Sequence, residues 1–140
     1  MDLSTLSMDA VRALDDSGLR RVIARLKGFE CIPWKGAWCI AYQGIPIDHT
    51  WGNSEADAWG LAFGKPFLIP DWLGDLNATF DLIRDIPSVT LHGFEQRWDC
   101  KLRDAEQDLT SWNCWIDTPA RAICLAWIAL QLAQQKVTHG

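Results

Sequence analysis

The sequence predicts an α+β fold, a three-stranded antiparallel β-meander with helices packed against it in the manner of an α/β/α sandwich. Two patterns carry this expectation. Apolar residues recur at helical spacing in three stretches bounded by capping and stop residues. Between the second and third of these, apolar and polar residues alternate with a period of two. A length of 140 residues, 49% hydrophobic and 22% charged, fits one core-forming domain over residues 1–136 with a frayed tail at 137–140.

A short helical turn is expected from Met8 to Leu14. Leu19, Val22, Ile23 and Leu26 then form an i, i+3, i+4, i+7 stripe, with Arg20, Arg21, Arg25 and Lys27 off it. Asp15, Asp16 or Ser17 caps the start and Gly28 stops the end. Residues 28–70 read as irregular, because they hold six of the ten Gly, four of the six Pro and four of the nine Trp. Within them, Cys39–Tyr42 fits a short strand and Ala56–Phe63 a short helix.

Order returns at Pro70. Asp71 is the expected N-cap of a helix in which Leu73, Leu76, Phe80 and Ile83 face inward and Asn77, Asp81 and Arg84 outward. Pro87 stops it. Val89 and Leu91 alternate with Thr90 and His92, and Gly93 marks a bulge or a close backbone approach. Trp98, Cys100 and Leu102 alternate with Arg97, Asp99, Lys101 and Arg103, the clearest strand of the chain. After a polar connection from Asp104 to Thr110, the expected inward face of the last strand is Trp112, Cys114 and Ile116. Thr118 followed by Pro119 is an N-cap and first-turn pair. The helix it opens is apolar nearly all round and should be the most buried element.

Charge narrows the function classes. Eighteen carboxylates against 13 Lys and Arg give −5, which argues against a nucleic-acid partner for the chain as a whole, though not against a local patch. The longest apolar run, Ala122–Leu130, is too short to cross a bilayer, so no membrane partner is expected. Met1–Leu6 carries an acid and no basic, apolar leader pattern. With five scattered cysteines, this reads as a cytoplasmic protein with reduced thiols.

No cofactor or metal site is expected. Seven residues separate Cys31 from Cys39, and no CxxC, HExxH, GxSxG or phosphate-loop motif occurs. Of the three histidines, His49 is the strongest candidate base. With Asp48 and Asp57 it forms a weakly supported hydrolase set, and an ordinary polar loop is favoured over it. Trp98, Trp112 and Trp127 fall on expected internal faces. Trp34, Trp38, Trp51 and Trp59 either pin down the irregular segment, the favoured role, or line a binding surface with His49.

Two stretches carry a family resemblance. The run Trp72-Leu73-Gly74-Asp75-Leu76-Asn77-Ala78-Thr79-Phe80-Asp81-Leu82-Ile83 resembles a helix of the phage ABA sandwich domain family. The run from Asp117 to Ala126, with its Thr118-Pro119 start, is similar to that family's C-terminal signature, and Trp98-Asp99-Cys100 to a strand between them. The resemblance covers about the last 70 residues and implies helices on a sheet and a phage or prophage origin, without implying an activity. The leading expectation is a non-enzymatic accessory protein that binds a host or phage protein. The alternatives are a small-molecule or nucleotide-sequestering protein with an aromatic pocket in 28–70, and the hydrolase built on Asp48, His49 and Asp57.

Overall fold

The computed structural model describes residues 3–65, 67–105 and 109–139. Its class is α+β: five helices and two three-stranded antiparallel sheets, with helices packed on the sheets. The chain forms two compact units, Arg20–Asp71 and the remainder, Met1–Leu19 with Trp72–Gly140.

The larger unit contains the expected meander. A 3-10 turn at Leu3–Thr5 leads into α1 (Met8–Arg12), and α2 (Asp16–Leu26), whose residues from Arg20 on belong to the smaller unit, opens with the Asp15 carboxylate accepting from Gly18 N at 2.8 Å. Strands β4 (Ser88–Phe94), β5 (Arg97–Asp104) and β6 (Leu109–Ile116) pair in that order. Helix α5 (Pro119–His139) packs on all three. Its start is the expected one, with Thr118 Oγ1 accepting from Arg121 N at 3.1 Å. Ala122–Ile128 are buried without a break, because the helix meets β5 and β6 on one side and α1 and α4 (Leu76–Leu82) on others. The helical backbone continues through Val137 to His139, where a frayed tail was expected, and Gly140 lies outside the described residues.

Arg121 fastens the start of α5 to the end of α1. Its guanidinium donates to the carbonyls of Arg12 and Leu14 and pairs with Asp16 at 3.2 Å. A guanidinium can satisfy several carbonyls left open at a helix end, so one side chain fixes two elements.

Two expectations for this unit fail by a shift of phase. The N-cap of α4 is Asp75, not Asp71: its carboxylate accepts from Asn77 N at 3.0 Å. The helix therefore starts later and buries Thr79, Leu82 and Ile83, while Leu76 and Phe80 are exposed. In β6 the buried residues are Ser111 and Asn113, and Trp112 is exposed. A bulge explains this. Trp98 pairs with Ile116 but Cys100 pairs with Asn113, so β6 spends an extra residue between them. Ile116 keeps the expected face, whereas Trp112 and Cys114 do not share it. The buried polar pair is held: Ser111 Oγ donates to Ala126 O at 2.7 Å, and Asn113 Oδ1 accepts from Arg12 Nε at 3.1 Å.

Gly93 fulfils its expectation. It sits opposite Trp98, and a Cβ there would stand 2.7 Å from the indole ring, so the ring lies directly on the glycine backbone. Glu106 and Asp108 of the expected polar connection lie outside the described residues.

The smaller unit replaces the expected irregular segment. Strands β1 (Phe29–Trp34), β2 (Ala37–Tyr42) and β3 (Ile45–Pro46) form a second meander, followed by α3 (Glu55–Phe63). The suggested strand at 39–42 and helix at 56–63 fall within β2 and α3. Both hairpins turn through two residues of positive φ, Lys35-Gly36 and Gln43-Gly44. Those are the torsions that a tight antiparallel hairpin requires.

The chain after β3 is tied back onto β2. Thr50 is fully buried, with Oγ1 accepting from Ile40 N at 3.1 Å and donating to Ile47 O at 2.7 Å. Gly52 exchanges two backbone hydrogen bonds with Trp38, at 2.8 and 2.9 Å. A Cβ on Gly52 would lie 2.7 Å from Ala58 N, so α3 is seated directly on this glycine. Buried backbone groups need partners, and here a side chain and a bridge supply them where no regular strand does.

Candidate functional site in the smaller unit

Direct cross-strand partners share a face of a sheet. Phe29 pairs with Tyr42, and Tyr42 pairs with Ile45, so these three form one row across β1, β2 and β3. The Phe29 and Tyr42 rings are tilted against each other with centroids 4.8 Å apart. With Pro46, Ile47 and Leu68 they line a cleft of about 310 Å³, which is the low end for a small-molecule site. Ile45 is 71% exposed at its rim. No charged residue is among the described lining residues, so the cleft suits an apolar group and offers nothing to a phosphate.

The tryptophans divide by position. Trp34 pairs with Ala37, one residue out of step with the pair Pro33 and Trp38, so Trp34 and Trp38 occupy opposite faces of the sheet. Trp38 shares the face of the apolar row and is half-buried. Trp34 and Trp51 are 42% and 38% exposed. Trp59 is 3% exposed and packs with Phe63 at 5.6 Å between centroids, with the Arg21 guanidinium 5.7 Å from its ring. Trp59 is therefore core, the role favoured for this group, and Trp34 and Trp38 do not share a face.

Arg20 completes that core. It lies 4.5 Å over the Phe63 ring and donates to the carbonyls of Ile69 and Pro70, which closes the end of the unit.

His49 is exposed, with a left-handed backbone at φ 66°, and Asp48 and Asp57 are exposed too. No hydrogen bond or ion pair joins the three side chains among the described residues, so nothing fixes an acid–base geometry there. Among the described residues no three His, Cys, Asp or Glu are grouped to hold a metal ion.

The cysteines are thiols, none in a disulfide. Burial, helped by Glu55, pushes Cys31 up to about 11, and burial pushes Cys100 up to about 11. Burial also raises Cys39 and Cys114. A thiol in this range stays protonated at neutral pH, which makes it a poor nucleophile and a poor metal ligand.

No family model, curated protein or solved structure matches the chain. Among the described residues, no helix is long and apolar enough to cross a membrane.

Sequence reasoning missed Phe29, Tyr42, Ile45 and Leu68 as a group. The available signal was the pair of x-Gly turns at Lys35-Gly36 and Gln43-Gly44, since a two-residue hairpin turn fixes the register on either side.

Proposed function

We propose that the protein is a phage or prophage accessory protein that acts by binding a protein partner, without catalysis. The observation that carries this reading is the apolar cleft of the smaller unit, with Phe29, Tyr42 and Ile45 in one row and Ile45 exposed at its rim. An exposed aromatic and aliphatic row beside a small cavity suits one anchoring side chain of a partner. The phage origin rests on the resemblance of residues 72–83 and 117–126. A cytoplasmic place of action belongs to the same reading and is supported by five thiols outside any disulfide.

The cleft volume also supports a second reading, sequestration of a small apolar molecule. The nucleotide form of that alternative loses support because the described lining carries no charge.

A photo-crosslinking residue at Ile45, introduced in the producing cell, tests the leading reading. It should give a discrete protein adduct that disappears with Tyr42→Asp. The same residue at Glu30, which pairs with Ala41 and so lies on the opposite face, should not give it. Identical adduct patterns from both positions, or none from Ile45, would refute the proposal.

A further inference from the structure

The β4-β5-β6 sheet has a second face, on which cations and aromatic rings stand side by side. Cys100 and Leu102 are fully buried, and Ser111, opposite Leu102, bonds to a carbonyl of α5. The helix therefore covers that side. The alternate residues of β5, Arg97, Asp99, Lys101 and Arg103, point the other way, and its three cations are exposed.

The register places two aromatic rings beside those cations. Trp112 stands directly opposite Lys101 and is 63% exposed; Phe94 stands directly opposite Arg97 and is 68% exposed. Thr90 and His92 fill the edge strand opposite Lys101 and Asp99. The larger unit as a whole carries seven cations against thirteen carboxylates, so three of its seven cations are gathered on one sheet face whose described strand residues include a single acid, Asp99. A whole-chain charge of −5 conceals this local excess.

We infer that this face binds single-stranded nucleic acid. Arg97, Lys101 and Arg103 meet the phosphodiester backbone, and Trp112 and Phe94 stack with unpaired bases. The recognition chemistry needs both halves: clustered cations neutralise phosphates, and exposed aromatic rings beside them offer bases a stacking surface. A duplex hides its base faces and cannot use the rings. This proposal is independent of the apolar cleft, since the two surfaces belong to different sheets.

Fluorescence anisotropy of a labelled oligothymidylate of about twelve nucleotides tests it with the full chain. Binding should appear at low salt, with a log–log salt slope of about −2, as three phosphate contacts at about −0.7 each would give. Trp112→Ala should weaken it about ten- to hundredfold, Trp112→Phe should keep most of it, and Lys101→Glu should weaken it and flatten the slope. Both positions are exposed, and circular dichroism is the check that each variant folds; Phe94→Ala gives an independent reading of stacking if either does not. Ribo-oligouridylate should bind comparably, because it carries the same phosphates and base faces; a large difference would contradict the stacking account. No binding, equal binding of an abasic strand, of a duplex or of polyglutamate, or affinity unmoved by Trp112→Ala would overturn the inference.

Discussion

The two sheets of this protein share an architecture and differ in what they leave open. Each is a three-stranded antiparallel meander, and each has a hairpin that turns through two residues of positive φ. In the β1-β2-β3 sheet the open row is apolar, Phe29, Tyr42 and Ile45. In the β4-β5-β6 sheet the open face carries Arg97, Lys101 and Arg103 beside Trp112 and Phe94. The charge count follows the same division. Residues 20–71 hold six cations against five carboxylates, and the remainder seven against thirteen. Aromatic content alone therefore says little about binding. The residues that the register sets beside a ring decide whether it meets an apolar anchor or a stacked base.

Matched substitutions, one in each unit, probe this comparison. The largest effect should come from the cores. Leu102→Ala and Ile40→Ala each delete a fully buried side chain, and each should cost about 2–5 kcal/mol in chemical denaturation. A loss below about 1 kcal/mol at either site would mean that its sheet is not a packed core.

The glycines should separate the two sheets. Gly52→Ala presses a methyl against the backbone of Asp57 and Ala58, and should cost about 1–3 kcal/mol. Gly93→Ala meets the Trp98 ring, a side chain that can move, so its cost in the same measurement should be smaller. The reverse order would contradict the seating of α3 on Gly52.

Helix caps follow. Asp75→Ala and Ser54→Ala each remove a side-chain acceptor for a first-turn amide, and should each cost about 1 kcal/mol. Asp71→Ala should cost less than Asp75→Ala, because Asp71 precedes the helix it was expected to cap.

The last effect is absent at neutral pH and appears only in alkali. Cys31 and Cys100 are both pushed up to about 11, so the unfolded chain loses these protons first as pH rises. Their contribution to stability is complete below about pH 8.5 and is lost as pH climbs toward 11. Thermal midpoints should therefore fall across that window, and less so in Cys100→Ala. A thiol-alkylating reagent should label half-buried Cys31 before fully buried Cys100, because access differs while acidity does not.

Much of the larger unit is legible in the sequence because its signals are local. The alternation of Trp98, Cys100 and Leu102 fixes a strand, Thr118-Pro119 fixes a helix start, and an all-round apolar run fixes the buried helix. What is lost there is phase. The bulge in β6 turns Trp112 outward, and no residue type announces a bulge at that point. The late cap at Asp75 shifts the buried side of α4 to Thr79 and Leu82 because Asp71 and Asp75 are equally good caps in isolation.

The smaller unit is illegible for a different reason. Its strands are short, and Gly36, Gly44 and Pro46 look like loop punctuation when they are in fact two hairpin turns and a strand end. Its order comes from non-local bonds, such as Thr50 to Ile40 and Gly52 to Trp38, which no short window of sequence contains. The apolar cleft depends on cross-strand register and was hidden with it.

Amide-resolved NMR on one sample of the full chain tests the central claim, that the two sheets open onto different partners. An uncharged naphthylamine serves as an apolar probe, followed by the oligothymidylate. The naphthylamine should shift resonances around Phe29, Tyr42 and Ile45 and leave Lys101 and Trp112 in place. The oligonucleotide should do the converse. Shifts from both ligands on one sheet, or from neither on its own sheet, would contradict the account.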